Sequence, residues 1–289
     1  MSSGRFVDLI VGVCSAGDYV DRRRAIRKSW FLYARSHVSP IPEEDASRIA
    51  MKFIVSQGHP KAEKEQERHN DIAFVDAPEG YGNLWRKVLL FLYWVEMTYE
   101  YRYFMHADDD SFVRLDLILQ KMIQWPSERF YWGYIWNMGP GRPFTQPIRD
   151  PRNKSHMPPE QYPLDYYPPF ASGCGFALSR DLCRALLARA LPDYRLLDAP
   201  FGIHLCGLEM CVLEAPVVPV HDEGVRPYRA IPLFHADTVV QHYMRPEEMK
   251  PFFDNAIEAA ARPLDGPTHG QTAADDLYKQ LVDLGLLRR

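Results

Sequence analysis

No run of roughly 18 apolar residues interrupts this 289-residue sequence, so nothing in it is long enough to cross a bilayer as a helix. The opening Met1-Ser-Ser-Gly-Arg5 has no apolar core of signal-peptide type ahead of the first strand. Two settings remain open on that basis: a cytoplasmic protein, or the lumenal part of a chain whose anchor has been removed. Cysteine is scarce. The five residues, Cys14, Cys174, Cys183, Cys206 and Cys211, are odd in number and none has Cys-x-x-Cys spacing. That excludes a dense disulfide scaffold and argues against zinc, while leaving room for one or two bridges. An excess of cations is also missing: 34 Lys and Arg against 38 Asp and Glu give a net charge of −4. Nucleic acid or an anionic membrane is therefore not expected as the main partner. Neither a Gly-x-Gly-x-x-Gly nor a Walker sequence is present, so any phosphate must be held by a metal and basic side chains rather than by a glycine-rich loop. There is no internal repeat.

What is present is ample material for a core, at 46% hydrophobic residues, and an alternation of strand and helix patterns. Asp8 to Cys14 is a buried-strand run followed by a Ser-Ala-Gly turn, and Asp21 to Tyr33 predicts a helix rich in arginine. Strands are expected at Met51–Val55 and Ile72–Val75, with a charged helix over 61–70 between them. Leu84, Val88, Phe91, Leu92 and Val95 recur at helical spacing, predicting an amphipathic helix from Asn83 to Thr98. This alternation argues for an α/β sheet with its ligand site at strand carboxyl ends. Phe130–Trp136 and Ser172–Ser179 read as later strands, 139–170 as a long loop rich in proline and glycine, and 180–190 and 199–208 as helices. The division expected is a catalytic domain over 1–262 and a peripheral helical extension over 263–289.

The densest chemical signal is Asp108-Asp109-Asp110, placed directly after the apolar run Tyr101–Ala107. Three adjacent carboxylates at a buried strand end are costly unless a cation offsets them. Hard oxygen ligands there suit Mn²⁺ or Mg²⁺ with positions left open for phosphate. The plainer alternative is an acidic turn, with Asp110 or Ser111 capping a helix that begins at Phe112.

Several ordered blocks surround that triplet: Arg23-Arg24-Ala-Ile26-Arg27-Lys28-Ser-Trp30, Glu67–Ile72, Tyr81-Gly-Asn83-Leu84-Trp85-Arg-Lys87, Phe104–Val113, and Tyr167-Pro168 through Gly173-Cys-Gly175 to Ser179. In this order and at this spacing the chain resembles the inverting β-1,3-glycosyltransferases of glycosyltransferase family 31, over roughly residues 7–250. The β-1,3-galactosyltransferases are nearest by motif, particularly the type that builds the proteoglycan linker. Three positions depart from the family pattern. Leu197 replaces the glutamate before Asp198, His106 replaces the lysine before the aspartates, and Trp85 replaces the threonine after Asn83-Leu84.

The resemblance implies a GT-A-type α/β fold, a UDP-sugar donor and a Mn²⁺ or Mg²⁺ cofactor. It implies inverting transfer of a hexose, galactose in preference to N-acetylglucosamine, to the 3-hydroxyl of a glycan acceptor. The setting implied is the Golgi lumen. Asp110, Asp108 and His242 are the implied metal ligands, with His235 as the alternative histidine. Asp198 is the implied base, with Glu209 and Asp222 as other carboxylates. Arg27, Asn83, Lys87, Asp108, Asp109, Gly173 and Gly175 are the implied donor contacts. Trp132, Tyr134 and Trp136 either line the acceptor cleft or pack in the core, and Arg23 and Arg24 either bind phosphate or form a solvated helix face. Two other functions compete: a metal-dependent phosphohydrolase built on the same aspartates, and a sugar-binding pseudo-transferase in which Leu197 marks lost activity.

Overall fold

The computed structural model describes residues 5–35, 40–138, 145–189 and 198–261. The expected extension over 263–289, and residues 139–144 of the expected long loop, lie outside them. Elements run β1 (Arg5–Cys14), α1 (Val20–Arg27), α2 (Glu43–Ala46), β2 (Ile49–Ser56), α3 (Pro60–His69), β3 (Ile72–Val75), α4 (Leu84–Thr98), β4 (Tyr99–Asp108), β5 (Phe112–Val113), α5 (Leu115–Met122), β6 (Tyr131–Trp136) and β7 (Phe170–Ser179). They continue through α6 (Arg180–Leu187), α7 (Asp198–Cys206), β8 (Val220–His221), β9 (Val225–Arg226), β10 (Val240–Gln241) and α8 (Pro246–Ala260).

The main sheet has the order β3-β2-β1-β4-β7-β6-β8. The four strands from β3 to β4 are parallel, β7 runs antiparallel to β4, and β6 runs antiparallel to β7. This is the single mixed α/β sheet expected. Both faces are covered, as the apolar runs of β1 and β4 require. One face packs Val88, Phe91 and Leu92 of α4 and Leu182 and Leu186 of α6. The other packs Ile26 of α1, Ile118 of α5, and Phe252 and Phe253 of α8. No helix among the described residues is long and apolar enough to cross a membrane, and all five cysteines are free thiols.

Two helices differ from expectation. The arginine-rich helix ends at Arg27, and Trp30–Ala34 continues as a tighter 3₁₀ turn that buries Trp30 and Phe31. The helix expected to start at Phe112 starts instead at Leu115. Phe112 and Val113 are extended because they pair with Gln241 and Val240 in a small second sheet of order β5-β10-β9. Ser111 is accordingly not a cap: its hydroxyl donates to the Cys174 carbonyl at 2.8 Å.

Candidate active site

The parallel register sets Cys14, the last residue of β1, beside Asp108, the last of β4. β2 leaves β1 on one side and β4 leaves it on the other, so the chain order reverses here and a crevice opens at the carboxyl ends. That crevice is a cleft of about 550 Å³ lined by the Cys14–Ala16 turn, the three aspartates, Lys87, Gly173 and His242 among others.

The small sheet brings His242 to the aspartates. Gln241 pairs with Phe112, and the Met244 amide donates to the Asp110 carbonyl at 2.8 Å, fixing the segment after β10 against the aspartate turn. His242 Nε2 then lies 3.2 Å from an Asp110 carboxylate oxygen and 3.6 Å from one of Asp108. Ligand-type atoms of Asp108, Asp110 and His242 all fall within 4.8 Å of one another. On the far side of the ring, Nδ1 lies 3.2 Å from the Pro227 carbonyl. With Nδ1 turned to that carbonyl, Nε2 is the nitrogen facing the carboxylates, the orientation a ligating imidazole needs. His235, the alternative, is not part of this group.

Charges in the cluster follow from the same contacts. Burial alone would raise the Asp110 carboxyl, but the bond from His242 and the charges of His242 and Arg22 hold it below the usual range. Burial would lower His242, yet Asp110 and Asp108 together raise it. Asp109 differs. Burial is its largest influence and Asp110 repels it, so its carboxyl rises to about 6 despite Arg22 at 2.6 Å. Asp109 therefore faces Arg22 rather than the His242 group, while Arg22 also reaches Asp110 at 3.4 Å. His106, in the place of the family lysine, is fully buried, stacked on Phe176 with ring centroids 5.0 Å apart, and 3.3 Å from Asp108.

The other expected donor contacts divide. Lys87 lines the cleft but its ammonium is buried, donating to the Ser15 carbonyl at 3.0 Å and to Glu79 at 3.1 Å. Glu79 also accepts from the Gly17 amide at 3.1 Å, so Lys87 and Glu79 brace the turn after β1. Gly173 lines the cleft. Gly175 does not: a Cβ there would sit 3.1 Å from Val240, so its missing side chain lets β10, and with it His242, lie against β7. Asn83 precedes α4 and donates to the Glu79 carbonyl at 3.3 Å, outside the cleft lining. Arg27 is also placed elsewhere. Its guanidinium spans Asp71, at 3.0 and 2.9 Å, and Glu65, at 2.6 Å. Buried Arg23 likewise binds Glu65 and the turn carbonyls of Ala16 and Gly17, while Arg24 pairs on the surface with Asp21.

Asp198 is the first residue of α7, which packs on β7, but its side chain lies outside what is described. Glu209 lines a separate apolar cavity with Tyr162 and Met210, and Asp222 is engaged by Trp132 Nε1 at 3.1 Å and Lys121 at 2.9 Å. Trp132 is core, whereas Trp136 lines the cleft. Residue-by-residue expectation passed over Arg22, Glu79, Lys154 and four tyrosines, Tyr19, Tyr81, Tyr228 and Tyr243, that also line it. Arg22 was hidden within a basic run of solvated-helix type. Tyr81 and Tyr243 stand in recognised blocks without being assigned to the site, whereas Tyr19 and Tyr228 carry no local pattern.

A family model described as Galactosyltransferase matches residues 21–198, more than half of the chain. The chain belongs to the galactosyltransferase family. Among its relatives, beta-1,3-galactosyltransferase 1 of Mus musculus is 28% identical over 255 residues, covering 83% of this chain and 71% of the relative. A beta-1,3-galactosyltransferase of Arabidopsis thaliana is 28% identical over 224 residues, covering 74% of this chain and 33% of its own length. A hydroxyproline O-galactosyltransferase from the same plant is 28% identical over 185 residues, 63% of this chain and 25% of that protein. The galactosyltransferase LgtC, solved with donor and acceptor sugar analogs, aligns over 89% of this chain and 97% of its own at 11% identity, with a TM-score of 0.42. The resemblance to glycosyltransferase family 31 thus holds. With the observed order of four parallel strands followed by antiparallel β7, it makes this galactosyltransferase an α/β protein of GT-A type and a glycosyltransferase.

Proposed function

We propose that this chain transfers galactose from UDP-galactose to the 3-hydroxyl of a glycan acceptor, inverting the anomeric centre and leaving a β-1,3 linkage. The observation that carries this is the convergence of Asp108, Asp110 and His242 at the sheet's switch point, in a chain of the galactosyltransferase family. Two carboxylates and an imidazole with Nε2 turned toward them are a donor set that fits a divalent cation such as Mn²⁺ or Mg²⁺. When bound, such a cation supplies the positive charge that stabilises a leaving diphosphate.

The chain's own residues do the rest. Arg22, half exposed beside Asp109, and Lys154, whose ammonium lies 4.8 Å from the Tyr81 ring centroid, bring two further cations to the cleft. Lys87 and Glu79 hold the turn after β1 in place as the wall against which the nucleotide lies. Asp198 takes the proton of the acceptor hydroxyl as that oxygen attacks the face opposite the departing UDP. The catalytic unit is residues 1–262, with 263–289 peripheral to it, and the compartment is the Golgi lumen.

The test is UDP release in the presence of Mn²⁺ from UDP-galactose, UDP-N-acetylglucosamine and UDP-glucose, with a panel of glycan acceptors. UDP-galactose should turn over fastest, and Asp110→Asn and metal chelation should each abolish turnover. Binding of UDP-sugars without turnover of any would return the pseudo-transferase alternative. No binding of any UDP-sugar would overturn the assignment.

A further inference from the structure

The aromatic side chains exposed around the cleft are not evenly spread. Tyr19 and Tyr81 stand on the β1 side, each with a cation over its ring, Arg22 at 4.7 Å and Lys154 at 4.8 Å. Trp136 ends β6, beyond β4 and β7 in the sheet order, and Tyr228 and Tyr243 line the cleft with it. β9 and β10 run parallel with Arg226 beside Gln241, so two residues further on Tyr228 and Tyr243 emerge from neighbouring strands. Both are more than half exposed, at 62% and 53%. Tyr228 meets Trp136 edge to face with centroids 5.7 Å apart, and Trp136 is backed in the same way by Tyr134 at 4.9 Å. Tyr243 lies flat on the His242 ring at 4.0 Å and holds φ +56°, a left-handed conformation that a bulky residue adopts only under constraint.

The strand order gives this wall a position relative to the donor. Along the carboxyl-end row, β1 offers the turn braced by Lys87, β4 the aspartates, β7 the Ser172–Gly173 backbone, and β6 Trp136. Neighbouring strands are about 4.8 Å apart, so β6 lies roughly 10 Å beyond β4. A nucleoside over β1 with its diphosphate at Asp108 and Asp110 directs its sugar over Gly173. The next pyranose ring then falls at Trp136. Tyr228 and Tyr243 keep more than half of their surface in water there, and the CH face of a pyranose is an apolar surface that stacks on aromatic rings.

Resting on the function proposed above, we infer that Trp136, Tyr228 and Tyr243 form the acceptor subsite, and that the acceptor is recognised as a neutral pyranoside whose apolar face stacks on Tyr228 and Trp136. Tyr243 ties that subsite to the metal cluster through its contact with His242. Acceptor docking and the geometry of the His242 imidazole are thereby held by one short segment.

Saturation-transfer NMR on the full chain with UDP, Mg²⁺ and methyl β-galactoside tests this without requiring turnover. Saturation should reach the galactoside's CH face in wild type and in Tyr228→Phe, and fall about tenfold in Tyr228→Ala, the scale of one lost aromatic contact. UDP signals should be equal in all three. Tyr228 is exposed, so the alanine variant leaves the core intact. Unchanged galactoside signals in Tyr228→Ala, or no galactoside signal in wild type while UDP binds, would overturn the acceptor wall. Loss of UDP signals from wild type would instead sink the nucleotide-sugar function, a separable result.

Discussion

His242 Nε2 sits 3.2 Å from an Asp110 carboxylate oxygen because Gln241, the residue before it, is hydrogen-bonded in register with Phe112, two residues after Asp110. A two-residue strand pair thus sets the geometry of a group whose other two members lie at, and two residues after, the end of a ten-residue strand of the main sheet. His242→Ala removes the imidazole and leaves Asp108 and Asp110 facing each other without it. UDP binding in Mn²⁺ should weaken at least tenfold, about 1.4 kcal/mol. UDP binding without metal should hardly change. Calorimetric titration of UDP with and without Mn²⁺ checks both, and equal affinities for wild type and variant in Mn²⁺ would remove His242 from the ligand set.

Arg27 belongs to the strongest motif of the N-terminal region, yet its guanidinium serves Asp71, whose side chain is wholly buried, together with Glu65. Removing it leaves Asp71 with Arg35 as its remaining partner. Arg27→Ala should therefore destabilise the fold by about 3 kcal/mol, the scale of breaking a buried ion pair from one side. UDP affinity should stay within about twofold, less than 0.5 kcal/mol. Denaturant unfolding alongside UDP titration separates these. A lost affinity with unchanged stability would return Arg27 to the donor site.

The same cluster gives the fold an acid limit. Burial alone would raise the Asp71 and Glu65 carboxyls, but Arg27 and Arg35 for the first, and Arg23 and Arg27 for the second, hold both below their ordinary values of 3.8 and 4.5. Because the folded values are the lower ones, the stability they contribute is complete above the unfolded range. It is lost as pH falls below about 4.5 and on through the folded values. Wild type should show that loss in urea unfolding between pH 6 and pH 3, and Arg27→Ala should show a shallower one. Parallel curves would mean that other carboxylates dominate acid unfolding.

Gly202 lies in α7 where that helix presses on the start of β7. A Cβ there would meet the Phe170 Cβ at 2.2 Å and the Pro169 carbonyl oxygen at 2.7 Å, and neither is the end of a flexible side chain. Gly202→Ala should cost about 1–3 kcal/mol by overpacking. That corresponds to a Tm lower by roughly 2–10 °C. A thermal melt with no shift would show that α7 can move away from β7.

Much of the main sheet was legible because its strands are short apolar runs and its helices amphipathic, as in Leu84–Thr98. The grouping of Asp108, Asp110 and His242 was legible for a related reason: the aspartates announce a charge problem at a strand end, and Gln241-His242 stands in a recognisable motif. What stayed hidden depends on pairings distant in sequence. Phe112 and Val113 look helical until β10 is present to pair with them. Gly175 looks like a sugar contact until Val240 is seen where its side chain would be. Tyr228 and Tyr243 are separated in the sequence and become neighbours only through the register of β9 and β10. Arg27 was recognised as a functional type of residue, but its buried carboxylates decide its role.

Asp198, the first residue of α7, carries the last prediction through the base role proposed for it. Asp198→Asn keeps the size and the capping ability of the side chain and removes the basicity. Transfer from UDP-galactose should fall about 10²–10⁴-fold, the range for a lost general base. UDP affinity in Mn²⁺ and the melting temperature should stay at wild-type values. A variant that retains transfer would place the base elsewhere, while one that loses UDP binding together with transfer would make Asp198 a residue of the donor site.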